Sequence, residues 1–286
     1  MAPACSSHQH FVLPAVAPAC FSQQIKNECE AIYNFCKGNG WNEGKLVHIL
    51  GRKNSAERKE MRDLFFAMYK EDLSNVLHAQ VNGRLEKAIM LWMYDPAQRD
   101  AIIARTALQS MCPDFRALTE MLCSRTEVEI LQIRQAYYSL YKTCLEEEIA
   151  QETVGARQKL LFTLAKAHRY MSKGVNNYTA KCDAKRLYDS GEGRIGINEG
   201  AIIKILSERN LDHLRVTFGY YKQLYGHDIL KGLKKKTCGD FGPALRVIIK
   251  CIYFPAKYFA KVLHISLEGL GTRDEELTRI MVTRAE

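Results

Sequence analysis

Apolar residues at Ile25, Cys29, Ile32, Tyr33 and Cys36 recur at steps of three and four, the spacing of one helix face, so an amphipathic helix is predicted from Ile25 to Lys37. Gly38-Asn39-Gly40 ends it. A second helix is predicted to start near Asn42-Glu43 and to stop before Asn54. Ser55 reads as the N-cap of a third, with Arg58 where a capping-box acid would sit and an apolar face of Met61, Leu64, Phe65 and Met68. Two shorter helices, about Asp72 to Ala79 and Leu85 to Tyr94, close the unit before Pro96, which cannot continue a helix. No strand pattern accompanies them, and an all-α fold is predicted.

The pattern then repeats. The string Ile49-Leu50-Gly51-Arg52-Lys53-Asn54 is echoed by Met121-Leu122-Cys123-Ser124-Arg125-Thr126, by Ile205-Leu206-Ser207-Glu208-Arg209-Asn210 and by Ile280-Met281-Val282-Thr283-Arg284-Ala285. Tyr69 with Leu73, Tyr141 with Leu145 and Tyr225 with Ile229 keep the first two of those intervals, as do Gly83, Gly155 and Gly239. Three independent markers in one register make an internal repeat of five helices. The predicted organisation is a flexible tail over 1–23, repeats over 24–95 and 96–167, a linker over 168–181, a third repeat over 182–254 and a partial fourth over 255–286. The linker absorbs the extra length of the second interval, in a polar stretch without clear periodicity around Lys166 to Lys181.

Composition narrows the class. At 47% apolar and 26% charged, the chain has ample material for a core. No run approaches the ~18 to 20 apolar residues that span a bilayer, so membrane contact is expected to be peripheral. Met1 to Gln24 has no basic n-region and is interrupted by Pro3, Pro14 and Pro18, which reads as a tail rather than a signal peptide. The ten cysteines form no Cys-x-x-Cys pair and no disulfide-scaffold cluster, and a reduced, cytoplasmic protein is expected. Ser-His-Asp, His-Glu-x-x-His and phosphate-loop patterns do not occur, and no enzymatic activity is predicted.

Candidate chemistry lies in the loop after the first helix of each repeat. These loops are Lys37-Gly38-Asn39-Gly40-Trp41-Asn42-Glu43, Ser110-Met111-Cys112-Pro113-Asp114, Arg194-Ile195-Gly196-Ile197-Asn198-Glu199 and Glu268-Gly269-Leu270-Gly271-Thr272-Arg273-Asp274-Glu275. Glycine lets a backbone turn its carbonyls outward, and such carbonyls suit a hard cation such as calcium. Taken singly, glycine in a helix connection needs no such function; the repeat register is what joins the four.

Five-helix units with a Gly-x-Gly-Thr loop, a Thr-Arg string near the end of the second helix and a long linker between the second and third copies resemble the annexins, over about residues 22 to 286. Leu91-Trp92-Met93-Tyr94-Asp95-Pro96-Ala97-Gln98-Arg99-Asp100-Ala101, Arg134-Gln135-Ala136-Tyr137 and Leu145-Glu146-Glu147-Glu148-Ile149-Ala150 are similar to the plant members. The resemblance implies an annexin-type array, three repeats complete and a fourth partial, in a slightly curved disc whose convex face carries the loops. It also implies calcium-dependent binding to an anionic phospholipid surface, the ion held by loop carbonyls, lipid phosphate and a distant acid that falls just before the recurring glycine.

Carried onto this chain, that pattern predicts degenerate calcium sites. The first repeat offers the carbonyls of Cys36, Gly38 and Gly40, with neutral Gln80 at the acid position and Trp41 in place of the usual Thr. The second keeps Glu152 but lacks both loop glycines. The third has Gly196, with Lys236 at the acid position. The fourth offers Leu267, Gly269 and Gly271, and its acid would fall beyond Glu286. Ligand charge count sets calcium affinity, so calcium dependence is expected to be weak or absent. A His linked to haem in some plant members is matched here by Arg52.

A formal charge of +9 offers another route to an anionic leaflet. Lys231, Lys234, Lys235 and Lys236 form its densest group, readable as lipid contacts or as a solvated helix face. Trp41 is placed either to wedge among headgroups or to pack on its own helix. The charge is spread along the chain without interleaved aromatics, and nucleic acid is not an expected partner. Cys123 and Cys251 match a pair that plant members place close together, serving either as a redox-sensitive contact or as small buried hydrophobes. The fourth repeat stops after two helices, leaving Leu277, Ile280 and Met281 with nothing expected to cover them. An incomplete or alternative product is one expectation; pairing of this scaffold with another chain, itself or a complete annexin, is the other.

Overall fold

The computed structural model describes residues 23–38, 42–166, 174–234, 239–268 and 273–285, and among them every regular element is an α-helix. The chain divides into two compact units, up to Glu86 and from Lys87 to Glu286. The first holds α1 (Gln23–Cys36), α2 (Glu43–Leu50), α3 (Ser55–Tyr69), α4 (Leu73–Gln80) and the start of α5 (Gly83–Met93). The predicted stripe does the packing: Ile25, Cys29, Ile32 and Cys36 of α1 are buried, with Met61 and Phe65 of α3 and Leu73 and Leu77 of α4. Tyr33 takes a different part, stacking on Tyr69 with ring centroids 3.8 Å apart.

The second unit carries the remainder of α5, then α6 (Pro96–Gln109), α7 (Phe115–Ser124), α8 (Glu127–Tyr141), α9 (Leu145–Glu152) and α10 (Gly155–Ala165). After these come α11 (Asn177–Ser190), α12 (Glu199–Glu208), α13 (Leu211–Tyr225), α14 (Ile229–Lys234), α15 (Phe241–Tyr253), α16 (Pro255–Leu267) and α17 (Asp274–Arg284). One continuous core runs through them, from Ala101 and Leu122 through Ile202 and Phe218 to Ile248 and Ile280.

The repeat register is visible in the backbone. Asn54, Thr126 and Asn210 cap the third helix of successive repeats. Lys70, Lys142 and Gly226 end the same helices in the left-handed conformation, with φ of 58°, 58° and 75°. Gly83, Gly155 and Gly239 open or precede the fifth helix at φ of 68°, 67° and 60°, a region that glycine enters without a Cβ penalty.

Three expectations need correction. The N-cap of α3 is Asn54 rather than Ser55, and Glu57 closes the capping box with bonds of 2.8 and 3.0 Å. Arg58 therefore does not stand in an acid's place; it is fully buried and its Nη1 donates to the Lys53 carbonyl at 2.6 Å. The stretch read as linker is helical from Asn177, because the Asn176 side chain caps the Thr179 amide and Ala180, Asp183, Ala184 and Leu187 form a buried face. Finally, the apolar face of α17 is mostly covered. Ile280 is 3% exposed, packed with α16 and α6, and only Met281 stands largely open at 55%.

Buried charge joins α17 to α7. Glu120, 1% exposed, accepts from Arg279 and from the Tyr258 hydroxyl at 2.6 Å, while Arg116 reaches Glu276. Burial and the adjacent Glu120 carboxylate both push the Tyr258 phenol up, holding it as a hydrogen-bond donor.

Candidate functional site in the repeat loops

Three of the loops are closed at the mouth by a backbone bond from the N-cap of the second helix to the end of the first. Asp114 donates to Ala107 at 2.9 Å, Asn198 to Ser190 at 2.7 Å and Arg273 to Ser266 at 3.0 Å. Asn42, Asp114 and Asn198 cap the second helix of their repeats, accepting from Lys45, Ala117 and Ala201 at 3.0, 2.9 and 3.1 Å. These short polar side chains fix the start of the helix that follows each loop.

In the first repeat Cys36 is buried, and burial pushes its thiol up. Gly38 takes φ +93°, and Gln80 ends α4 with its side chain exposed. Gly40 and Trp41 lie outside the described residues. In the second repeat the Ser110 hydroxyl donates to the Cys112 carbonyl inside the loop. Glu152, which the sequence places at the acid position of that repeat, is exposed at the end of α9. In the fourth, Leu267 is 55% exposed, and Gly269 and Gly271 lie outside the described residues. So do Lys235, Lys236 and the side chain of Lys234.

Two loop residues were missed from the sequence. Met111 and Ile195 are 102% and 99% exposed, the most open of the large hydrophobic side chains described. They occupy the same loop in consecutive repeats. A lone apolar residue beside Cys112-Pro113 or between Arg194 and Gly196 was the available signal.

Beneath the second and third loops lie two related polar clusters. In the second repeat Glu148 accepts from Tyr137 at 2.5 Å, from Gln109 at 2.8 Å and from Arg105. In the third, Tyr221 holds the register position of Tyr137 and donates to Glu192 at 2.8 Å, and His227 Nε2 lies 2.8 Å from the same oxygen. Burial first, and the accepting carboxylate second, push both phenols up. Cys123 and Cys251 are free, buried and adjacent; the contact with Cys123, then burial, pushes the Cys251 thiol up.

The annexin family model matches this chain three times, at residues 27–92, 99–164 and 182–248. The chain belongs to the annexin family. Among its relatives, an annexin-like protein RJ4 of Fragaria ananassa is 38% identical over 91% of this chain and 83% of the relative. Annexin A13 of Homo sapiens is 35% identical over 92% and 83%. Among solved structures, annexin III superposes with a TM-score of 0.85 at 33% identity, covering 92% of this annexin and 81% of that chain. A calcium-bound annexin (Sm)1 gives 0.81 at 26% identity, covering 92% and 79%. Annexins are generally non-enzymatic proteins that bind anionic phospholipid membranes peripherally and with calcium. No described helix of this annexin is long and apolar enough to cross a membrane.

Proposed function

We propose that this annexin works in the cytoplasm as a peripheral binder of anionic phospholipid surfaces, with calcium dependence weakened by its degenerate repeats. The observation that carries the reading is the full exposure of Met111 and Ile195 at equivalent loop tips. Water gives such side chains nothing, whereas the acyl boundary beneath a headgroup layer rewards them by roughly 1.5 to 3 kcal/mol each when fully buried. Lys234, Lys235 and Lys236 would add charge attraction worth about 1 kcal/mol each near the surface, and Trp41 would sit at headgroup level.

The donor set argues for reduced calcium affinity. Cys36, Gly38 and Gly40 would be completed by Gln80, which contributes no charge, and the Cys112 carbonyl of the second repeat is already engaged by Ser110. The fourth-repeat carbonyls of Leu267, Gly269 and Gly271 would need an acid from elsewhere. Co-sedimentation with phosphatidylserine vesicles, in calcium and in chelator, tests the reading. Binding should persist in chelator and fall about tenfold for Met111→Ser or Ile195→Ser. Binding that requires calcium and ignores both substitutions would overturn it. Pairing through the fourth repeat has less to rest on, since Ile280 is buried; a size that grows with concentration and reverts in Met281→Lys would revive it.

A further inference from the structure

In the third repeat an imidazole meets the carboxylate that accepts from the register tyrosine, where in the second repeat a guanidinium does so. Glu148 is met by Tyr137 and by Arg105, a cation charged throughout the accessible pH range. Glu192 is met by Tyr221 and by His227. The His227 ring is fixed at both nitrogens, with Nδ1 2.7 Å from the Tyr225 carbonyl and Nε2 2.8 Å from Glu192 Oε2. Both partners are acceptors. Either neutral tautomer would set one ring lone pair against an oxygen lone pair, so only the doubly protonated ring satisfies both contacts.

Glu192 belongs to the segment that ends in the exposed Ile195. Among the contacts that also hold this segment are the Gly191 and Gly193 amides to the Tyr188 carbonyl, at 3.1 and 2.8 Å, and the Asn198 amide to Ser190 at 2.7 Å. Other groups among the described residues lie near His227. Tyr221 meets it edge-on at 6.1 Å, Lys222 lies 3.8 Å from Asp228, Lys231 donates its amide to the Asp228 carbonyl, and Asp189 acts on Tyr225. None of them is a second imidazole. Gly232 closes the far side, where an added Cβ would lie 2.3 Å from Glu192 Oε2 and 2.6 Å from the Tyr221 hydroxyl.

We propose that His227 is a proton-operated latch on the loop carrying Ile195: protonated, it clamps Glu192 and presents the loop in one conformation, and loss of its Nε2 proton to water releases the loop. The link to lipid rests on the membrane reading of Ile195. A latched loop meets a bilayer already ordered, so binding is tighter on the acid side.

The test has two arms. In lipid-free protein, amide-exchange protection factors at Gly193 and Asn198 should fall about tenfold between about pH 5.5 and about pH 7.5, the effect of one charge-assisted hydrogen bond. They should be low and pH-independent in His227→Gln and in Gly232→Ala, which crowds the clamp without touching the imidazole. Unchanged wild-type factors, or a fall that survives in His227→Gln, would overturn the latch. In the second arm, phosphatidylserine vesicles should bind the wild type more tightly at the lower pH and His227→Gln equally at both. If protection responds while vesicle binding does not, the latch stands and the assignment of Ile195 to the membrane falls.

Discussion

Asp183 shows what a single buried charge does in this protein. It is fully buried and accepts from Arg209 at 2.7 and 3.3 Å, with His213 Nε2 at 3.0 Å. Asp183→Asn removes a buried charge that meets the Arg209 guanidinium, and a loss of about 3 kcal/mol in urea unfolding is expected. The cysteines give a second prediction at this scale. Burial, reinforced by Glu28 and Glu30, pushes the Cys29 thiol up to about 12, whereas Cys112 is exposed. A thiol-specific reagent at pH 8 should label Cys112 rapidly and leave Cys29 unmodified until the protein unfolds. The folded state keeps the Cys29 proton that the unfolded chain releases above about pH 9. This residue's contribution to stability is therefore complete below that pH and declines as pH rises toward 12, measurable as the stability difference from Cys29→Ala. Residue chemistry was only partly legible. Gln80 could be placed by register at the end of the fourth helix of its repeat, but nothing local distinguishes Glu192 from a solvated acid, since its partners Tyr221 and His227 lie beyond two intervening helix starts.

At the scale of the helix, the repeats test one another. Two of them end their third helix with a lysine in the left-handed conformation, Lys70 and Lys142, where the third repeat has Gly226. A β-carbon there costs on the order of 1 kcal/mol, so Lys142→Gly should raise stability by about that amount in urea titration. Thr126→Ala should lower it by about 1 kcal/mol, because the Thr126 side chain and Glu129 form a reciprocal capping box. Helix number and type were legible because the apolar period is strong. Boundaries were less so where caps compete: Asn54 and Ser55 are both good N-caps, and only the position of Glu57, three places after Asn54, decides between them. The start of α11 was hidden for another reason. Its buried face uses Ala180, Asp183 and Ala184, and small or charged residues leave little hydrophobic signal even when they are fully buried.

On the proposed function, affinity for a surface is a product of several weak contacts rather than a property of one site. Engaging one loop converts the next into an intramolecular event, so modest changes in a single repeat are multiplied in the avidity of the array. Gln80 is the place to test this, because it is exposed at the end of α4, where a change of charge disturbs no buried packing. If the proposed first-repeat site of Cys36, Gly38 and Gly40 carbonyls forms, Gln80→Glu adds one negative ligand to it and should lower the calcium needed for half-maximal vesicle binding about tenfold. The same substitution reduces the positive charge of a chain at +9, and so should slightly weaken binding in chelator. Opposite shifts in the two conditions separate ion coordination from surface attraction. Raising salt from about 50 to about 200 mM should weaken the chelator arm for both proteins, since screening acts on exposed lysines within a Debye length. It should weaken the calcium arm of Gln80→Glu much less, because an ion held by carbonyls and a carboxylate is not an exposed charge pair. Equal salt sensitivity in both arms would mean that the added acid coordinates nothing, and that the first-repeat loop does not form a calcium site even when its charge is restored.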